Sequence, residues 1–368
     1  RTTENMVNMK LAALLFAGLS SATIHPLLAQ GGILHATRDL FVAGEFSRIE
    51  GIAVDPGGRF LVSQPEDGRV LLFSDKGKQL GAFGRKGQGP SEFVRIGRIG
   101  TSSSGFWIYD AMGSRLTMVS SQLEHPRMLP LSGSTVGSGA FVLARGNGDS
   151  LIVRAGNRGP GDRTETGASF LSISGSQGKS RLLGKLPNSP ECIVVSGTWT
   201  TRVPYCERRF ADASQAGERI VLVDHESPDA GYFVVTAISA AGDTIFSRRI
   251  VTQPIRIGRH SADSILDERA NGSPPPLAKI IRTLVRLPTS FPPVRRIVAG
   301  RDGSTWLELQ PPKPGHFSLW TVLDKKGTVV GRLELPGSFR LLAAETDRVW
   351  GVERDTNDVE AIARYVVK

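Results

Sequence analysis

Apolar residues recur along this chain in short segments, and one segment is repeated. Residues 45–55 (EFSRIEGIAVD) return 47 residues later as residues 92–102 (EFVRIGRIGTS), and residues 291–300 (FPPVRRIVAG) are a weaker third copy. Short strands that repeat every 40 to 50 residues or so are typical of a β-propeller. The copies align at three apolar positions, occupied by Phe46, Phe93 and Phe291, by Ile49, Ile96 and Val294, and by Ile52, Ile99 and Ile297.

Each repeat predicts a meander of four strands, which is one propeller blade. In the first blade, residues 46–93, the apolar segments IEGIAV, RFLVSQ, RVLLFS and QLGAFG are separated by turn residues such as DPGG and DKG. Gly, Asp and Pro suit the tight turns of hairpins. Similar segments predict further blades at about residues 94–131, 139–186, 192–251, 294–336 and 339–368.

The last repeat has room for three strands only. A strand-like segment at residues 35–43 would supply the fourth, which hides the open edges of the first and last blades. Residues 257–293 break the pattern with two segments of helical spacing, 260–270 and 277–287, split by NGSPPP. We therefore predict an all-β fold: a six-bladed β-propeller closed by its N-terminal strand, with a helical insert between blades 4 and 5.

Residues 1–29 have the features of a secretory signal. Met6 or Met9 is a plausible start, Lys10 supplies a basic residue, residues 11–24 are apolar, and Ala29 precedes a cleavage site, which makes residues 1–5 upstream sequence. The alternative is an uncleaved N-terminal anchor. We expect a single domain over residues 30–368, exported to the periplasm or the extracellular space, with no later segment apolar enough to span a membrane.

The chain is basic, with a formal net charge of +10 over 368 residues. This charge favours an acidic small molecule, an anionic polymer or an acidic surface of a partner protein. Nucleic acid is not expected, because the Lys and Arg residues are scattered and no aromatic stacking motif lies among them. The protein is expected to be a monomer.

Only two cysteines are present, Cys192 and Cys206. They flank one segment, and in an oxidising compartment a disulfide between them would close a hairpin at the start of blade 4. The alternative is a pair of buried thiols.

Three segments resemble a known group of proteins. GAFGRKGQGPSEF at residues 81–93, DKKGTVVGRLELPGSFRL at 324–341 and RVWGVERDTNDVEAIARY at 348–365 are similar to exported six-bladed β-propellers of environmental bacteria, which are related to the NHL-repeat propellers. The resemblance implies the fold and a signal peptide. It implies no particular activity.

No catalytic motif stands out. The glycines of GRKGQG at residues 84–89 precede no helix that could hold a phosphate, and no Gly-x-Ser-x-Gly elbow occurs. Propellers related to lactonases and lyases hold a metal on the axis, so Ca²⁺ is the cofactor to consider. Its candidate ligands are Glu50, Glu92 and Asp110, whereas the histidines are too scattered for zinc.

Arginine and tryptophan repeat in register with the blades. Arg48 and Arg95 share one position before the first strand of a blade, and Arg98, Arg296 and Arg340 share another three residues later. Because first strands surround the axis, these side chains and the nearby Glu50 predict an anion-binding channel mouth. The alternative is pairing with neighbouring carboxylates, Glu50, Glu92 or Glu345. A second repeat, Trp107, Trp306 and Trp350, predicts core packing between blades.

Two functions follow as hypotheses. The first is a non-catalytic scaffold that binds an acidic ligand or partner at the channel mouth. The second is a metal-dependent hydrolase or lyase of the lactonase type, which rests on fold analogy alone.

Overall fold

Six antiparallel sheets surround one axis in the part of the chain that the structure describes. This computed structural model describes residues 31–131, 141–146, 150–158, 165–174, 180–187, 190–206, 209–225, 229–312 and 315–368. The expected signal segment, residues 1–29, lies outside them, as do residues 159–164 of the predicted blade 3.

Blades 1 to 3 are four-stranded meanders. The strands of blade 1 are β3 (Gly51–Val54), β4 (Phe60–Gln64), β5 (Arg69–Phe73) and β6 (Gln79–Phe83). Those of blade 2 are β7 (Ile96–Ser102), β8 (Gly105–Asp110), β9 (Arg115–Ser120) and β10 (Arg127–Pro130). Those of blade 3 are β11 (Phe141–Arg145), β12 (Ser150–Arg158), β13 (Glu165–Ser174) and β14 (Ser180–Pro187).

Blades 4 and 5 repeat this order, and blade 6 completes it with an N-terminal strand. Blade 4 contains β17 (Arg209–Ala213), β18 (Arg219–Asp224), β19 (Tyr232–Ser239) and β20 (Thr244–Val251). Blade 5 contains β21 (Val294–Ala299), β22 (Thr305–Leu309), β23 (Phe317–Leu323) and β24 (Val329–Pro336). Blade 6 contains β25 (Phe339–Glu345), β26 (Arg348–Arg354), β27 (Glu360–Val367) and β2 (Ala36–Val42).

The ring is closed, as the sequence predicts. The first strands touch in the order β3, β7, β11, β17, β21 and β25, and β25 returns to β3. The N-terminal β2 pairs antiparallel with the C-terminal β27, and the short β1 (Gly32–Ile33) adds a parallel edge to β24. The fold class, a six-bladed propeller closed by its N-terminal strand, is confirmed.

The core lies between neighbouring blades. Two of the three repeated apolar positions are buried in every copy, and at one of them Ile49, Ile96 and Val294 are each at most 1% exposed. Ile49 packs in one cluster with Trp350 of blade 6, which joins the first blade to the last. The repeat therefore marks positions where adjacent sheets meet, and the predicted core role of the aligned tryptophans is confirmed.

Turn chemistry sets where the strands end. Between β3 and β4, the Asp55 carboxylate accepts a hydrogen bond from the backbone N–H of Arg59 at 2.9 Å, and Gly58 has a φ of +81°. A side-chain acceptor followed by a glycine in the left-handed region is the geometry of a tight hairpin.

Blade 4 starts later than predicted. The segment that carries the cysteines forms a separate hairpin of β15 (Ile193–Ser196) and β16 (Trp199–Arg202), preceded by a 3₁₀ turn (Pro190–Cys192). Cys192 and Cys206 form a disulfide. The hairpin leaves the blade because its apolar side chains and the disulfide pack on the insert instead.

The insert is helical, as predicted. It contains α1 (Arg259–Asn271) and α2 (Pro275–Leu284), and the buried side chains of Ala278 and Ile281 face the hairpin cluster. Proline in the first turn suits the start of α2, because an N–H group at that position would have no acceptor within the helix and proline lacks that group. No helix among the described residues is long and apolar enough to cross a membrane.

Candidate functional site

The first strands of all blades begin at the same end of the ring, which we call the mouth. Successive blades repeat one strand order, so their first strands run in the same direction along the axis. Guanidinium groups at or near these starting ends include Arg48, Arg95, Arg98, Arg295, Arg296 and Arg340, with Arg354 on a neighbouring turn.

Arg98 and Arg296 occupy the same register position, as their alignment in the sequence predicts. Each directly follows a β-bulge in the first strand of its blade, opposite Tyr109 and Glu308 respectively. A bulge bends the strand and changes the direction of the next side chains. Arg340 instead precedes the bulge of its own strand, so it lies off the shared position.

Five arginines from blades 5, 6 and 1 form a group that we call the arginine cluster: Arg48, Arg295, Arg296, Arg340 and Arg354. Burial lowers the pKa of the Arg340 guanidinium from its usual range, and the positive charges of Arg354, Arg48 and Arg296 lower it further. Glu360 opposes this shift. Cations this close, partly removed from water, favour an added anion.

The Glu308 carboxylate is shared by two members of the cluster. Nε of Arg296 donates to it at 3.0 Å, and Arg295 lies 3.5 Å from it. The Arg296 guanidinium also lies over the Trp320 ring, 5.1 Å from its centroid. Burial is the main reason that the pKa of Arg296 is lowered, although Glu308 opposes the shift.

Glu360 is shared in the same way between Arg340 and Arg354. Arg354 lies 2.8 Å from its carboxylate and Arg340 lies 3.4 Å from it, while Arg340 also donates to the backbone oxygen of Ile49. The hydrogen bond with Glu360 raises the pKa of Arg354. One buried carboxylate thus faces two guanidiniums at the junction of blades 6 and 1.

The remaining member, Arg48, pairs with Glu50 at 3.3 Å. In total, five guanidiniums meet three partly buried carboxylates, and Asp358, whose side chain is 88% exposed, lies 3.9 Å from Arg354. The cluster therefore carries excess positive charge. Its outer members are open to solvent, with the Arg48, Arg295 and Arg354 side chains 57%, 50% and 46% exposed.

The structure brings Arg48, Arg296, Arg340 and Glu50 together but leaves Arg95 and Arg98 apart from them. Arg98 pairs with Asp212 of blade 4 at 2.5 Å, and this carboxylate also accepts the backbone N–H of Ala299 in blade 5 at 2.8 Å. Arg95 is exposed and makes no ion pair with a residue that the structure describes. Arg98 thus ties blades together.

The three carboxylates suggested for calcium do not converge. Glu92 binds Arg85 and the backbone N–H of Gly89, and these contacts lower its pKa. Asp110 is fully buried and caps the start of β7 by accepting from the backbone of Arg95. Within the described ranges, no group of three or more His, Cys, Asp or Glu residues is placed to hold a metal ion.

A second basic feature of the mouth was missed from the sequence. A cavity of about 450 Å³ between blades 3 and 4 is lined by Lys185, Arg209, Arg249, Asp224 and Tyr232, among others. Arg209 pairs with Asp224 at 3.0 Å, and Arg249 stacks on Tyr232 at 4.0 Å. These residues hold no repeated position, so no sequence pattern could connect them.

At the end of the axis opposite the mouth, the Gln215 side chain reaches from one blade to another. Gln215, in the turn after β17 of blade 4, bonds with the backbone N–H of Val54 at 3.2 Å and with the oxygen of Ile52, both in blade 1. Its own carbonyl oxygen accepts the indole N–H of Trp107 at 3.1 Å. A side chain at Gly100 would lie 2.5 Å from that oxygen, so a close approach requires glycine there.

Together these features define a six-bladed β-propeller with a basic mouth. No protein-family model matches the sequence, and no curated protein matches it significantly. The structure of a DUF4221 family member from Bacteroides vulgatus is similar, with a TM-score of 0.51 and 11% identity over 91% of this chain and 98% of that one.

Two more solved structures are less similar. A predicted exported protein from Bacteroides fragilis has a TM-score of 0.48 and 10% identity over 91% of this chain and 95% of that one. A catalytically inactive virginiamycin B lyase from Staphylococcus aureus has a TM-score of 0.42 and 11% identity over 90% and 99%. The Bacteroides vulgatus structure confirms the relation to bacterial propellers at the level of the fold alone.

Proposed function

We propose that this protein is an exported, non-catalytic scaffold that binds a carboxylate-rich ligand at the arginine cluster. The observation that carries this proposal is the sharing of two buried carboxylates, Glu308 and Glu360, by four guanidiniums. The protein supplies fewer acceptors than its arginines can use. A ligand with clustered carboxylates would supply the rest.

Arginine suits this task better than lysine would. Its planar fork donates two parallel hydrogen bonds to a carboxylate, and it remains charged in a partly buried site. The inner members, Arg296 and Arg340, are held in place by Glu308 and Glu360, whereas Arg48 and Arg295 are half exposed. A ligand would meet the exposed arginines first.

The proposal is tested by replacing only the exposed arginines, so that the pairs that hold the blades remain. In the double variant Arg48→Gln and Arg295→Gln, we expect the affinity for a fluorescein-labelled hexaglutamate peptide to fall at least about ten-fold, measured by fluorescence anisotropy. Competition by citrate would show that clustered carboxylates, rather than the peptide backbone, are recognised.

A matched control removes the same charge elsewhere. Lys76 and Arg127 are exposed on blades 1 and 2, away from the cluster. Lys76→Gln with Arg127→Gln should bind hexaglutamate as the unmodified protein does, apart from a small loss at low salt. Equal losses in the two double variants would mean that net charge alone attracts the peptide, and the site would be abandoned.

Export is part of the same proposal. The disulfide between Cys192 and Cys206 supports it, since disulfides persist mainly in oxidising compartments. Expression of the full chain in a bacterium, fractionation and N-terminal sequencing should give a periplasmic product that starts near Gln30. A cytoplasmic product with an intact N-terminus would contradict export but leave the binding site standing.

A further inference from the structure

A polar cavity lies between blades 6 and 1 at the end of the ring opposite the mouth. It has a volume of about 310 Å³ and is lined by the turns that follow the first strands of blades 1, 5 and 6. The polar side chains that matter here are Arg301, Glu345, Arg348, Trp350, Arg364 and Asp75. The arginine cluster lies at the starting ends of those strands, so the two sites are separate.

Three hydrogen-bond donors in this cavity wall are buried without an acceptor. They are Nε of Arg301, Nε of Arg348 and the indole Nε1 of Trp350, a residue that is 1% exposed. Buried donors in folded proteins almost always have a partner, whether protein, water or a bound ion. These three donors belong to residues that line one cavity, so they are available to a group bound there.

The sister blades show that the Trp350 donor is exceptional. Trp107 and Trp306 occupy the same place in the second strands of blades 2 and 5. The Trp107 indole donates to the Thr101 oxygen at 3.1 Å, and the Trp306 indole donates to the Ser304 hydroxyl at 3.2 Å. Thr101 lies near the end of β7 and Ser304 lies in the turn before β22, so each acceptor belongs to the same blade as its indole. Blade 6 provides none, so the Trp350 indole is left for the cavity.

Three arginines and only two carboxylates, those of Glu345 and Asp75, line the cavity, and this balance favours an anion over water. Arg301 bonds with Glu345, and Arg364 pairs with Asp39 at 2.8 Å. Arg348 stacks at 5.9 Å from the Trp350 ring centroid and has no carboxylate within 4 Å among the described residues. A water has two lone pairs and needs acceptors for its own hydrogens, whereas a tetrahedral oxyanion has many lone pairs and offsets the unpaired charge of Arg348.

We propose that this cavity is a binding site for a small oxyanion such as phosphate or sulfate, free or as the end group of a larger molecule. Arg348 supplies charge that no carboxylate of the described residues offsets, and Nε of Arg301 and Nε1 of Trp350 donate hydrogen bonds that fix the anion. The site joins the last blade to the first, so its ligand also binds across the closure of the ring.

The test uses the full chain carrying Arg48→Gln and Arg295→Gln, which weakens anion binding at the arginine cluster. Isothermal titration calorimetry with inorganic phosphate and with sulfate, in a buffer free of other oxyanions, should give saturable binding at one site. Adding Arg348→Met should weaken binding at least about ten-fold, and adding Trp350→Phe, which keeps the ring but removes the donor, should weaken it by a smaller factor.

The matched control is Trp306→Phe, which removes the equivalent donor in blade 5 and should leave phosphate binding unchanged. If Arg348→Met fails to fold, judged by circular dichroism, the comparison of Trp350→Phe with Trp306→Phe decides. Absence of saturable binding up to about 10 mM of either anion would overturn the proposal, and so would equal affinities of the Trp350→Phe and Trp306→Phe variants. Failure here leaves the hexaglutamate result at the mouth unaffected.

Discussion

A buried carboxylate at Glu360 joins the last blade to the first. Its side chain is 5% exposed and accepts the backbone N–H of Ile49 at 2.6 Å in addition to Arg340 and Arg354. Removing one partner of a buried ion pair leaves the others desolvated without compensation, which costs more than the pair contributes net. The Glu360 carboxylate therefore holds blades 6 and 1 together through three hydrogen-bonding partners.

We expect Glu360→Ala to lower the free energy of unfolding by about 3 kcal/mol, because it leaves two guanidiniums and one backbone N–H without their acceptor. Urea denaturation followed by tryptophan fluorescence measures the change. The control Asp358→Asn removes the charge of a neighbouring carboxylate that is 88% exposed, suits the left-handed backbone of that position (φ +61°), and should have little effect. Similar losses in both variants would show that Glu360 acts only through surface charge.

Asp302 links the turns of blades 5 and 6, and it makes the fold sensitive to acid. Although burial raises the pKa of this carboxyl, hydrogen bonds from Thr346 and Ser304 lower it below its usual value. A group with a lowered folded-state pKa stabilises the protein above its unfolded pKa, and the contribution is lost as the pH falls through the folded one.

Stability should therefore decrease below about pH 4 in part through Asp302. In Asp302→Asn, the free energy of unfolding should be lower at pH 7 and should change less between pH 5 and pH 3 than in the unmodified protein. Chemical denaturation over that pH series gives the slopes. Parallel slopes in both proteins would assign the acid sensitivity to other carboxyls.

At the scale of single residues, the sequence predicted where the arginines lie better than it predicted which carboxylates they contact. The repeat placed Arg48, Arg296 and Arg340 at one end of the ring, because register depends on local spacing. It suggested Glu50, Glu92 and Glu345 as partners. Glu50 does pair with Arg48, but Glu92 binds Arg85 and Glu345 binds Arg301. Which carboxylate contacts which arginine depends on how neighbouring sheets pack, and the spacing of the sequence repeat does not determine that packing.

Among the elements, the β15–β16 hairpin and the two helices form a small unit beside the propeller. Its core contains the disulfide of Cys192 and Cys206 with Ile281, which is fully buried on α2. Because these residues pack on one another, the unit should open more easily than the ring does.

Reduction of the disulfide, or the double substitution Cys192→Ser with Cys206→Ser, should destabilise this unit by about 3 kcal/mol and leave the blades intact. Hydrogen exchange should rise at residues 190–206 and 259–285 while β3 and β26 stay protected. Ile281→Ala should give the same local pattern through a cavity. Uniform loss of protection over the chain would show that the unit and ring unfold together.

The sequence placed this hairpin in blade 4 for a physical reason. Alternating apolar residues pack equally well on a neighbouring blade or on a helix, so the pattern at residues 193–202 cannot distinguish the two. The helices themselves were predictable, since the spacing of Leu277, Ile280 and Ile281 suits a helical face and Pro275 marks its start.

For the whole molecule, closure depends on a strand far from its blade in sequence. β2 pairs with β27 over nearly its full length, with Ala36 opposite Val367 and Val42 opposite Ile362. The missing fourth strand of the last repeat made this pairing predictable, because an open edge invites aggregation. The anion cavity of blades 6 and 1 was not predictable, because it arises only after closure.

A chain that begins at Glu45 should lose both N-terminal strands and expose the edges of β27 and β24. We expect it to aggregate or to melt at a clearly lower temperature, whereas a chain that begins at Gly31 should behave as the full chain does. Size-exclusion chromatography and thermal melts test this. Equal stability of the two truncated chains would mean that the ring holds without its closing strand.

Gln215 reaches from blade 4 to blade 1, which stand on opposite sides of the axis. It links the two blades at the end of the ring opposite the mouth, so a molecule that enters at the mouth would meet this side chain before it could pass through the ring. The tie also resists widening of the ring one blade at a time. A movement that separates blade 4 from blade 1 would have to break these two hydrogen bonds, so we expect the two blades to move together.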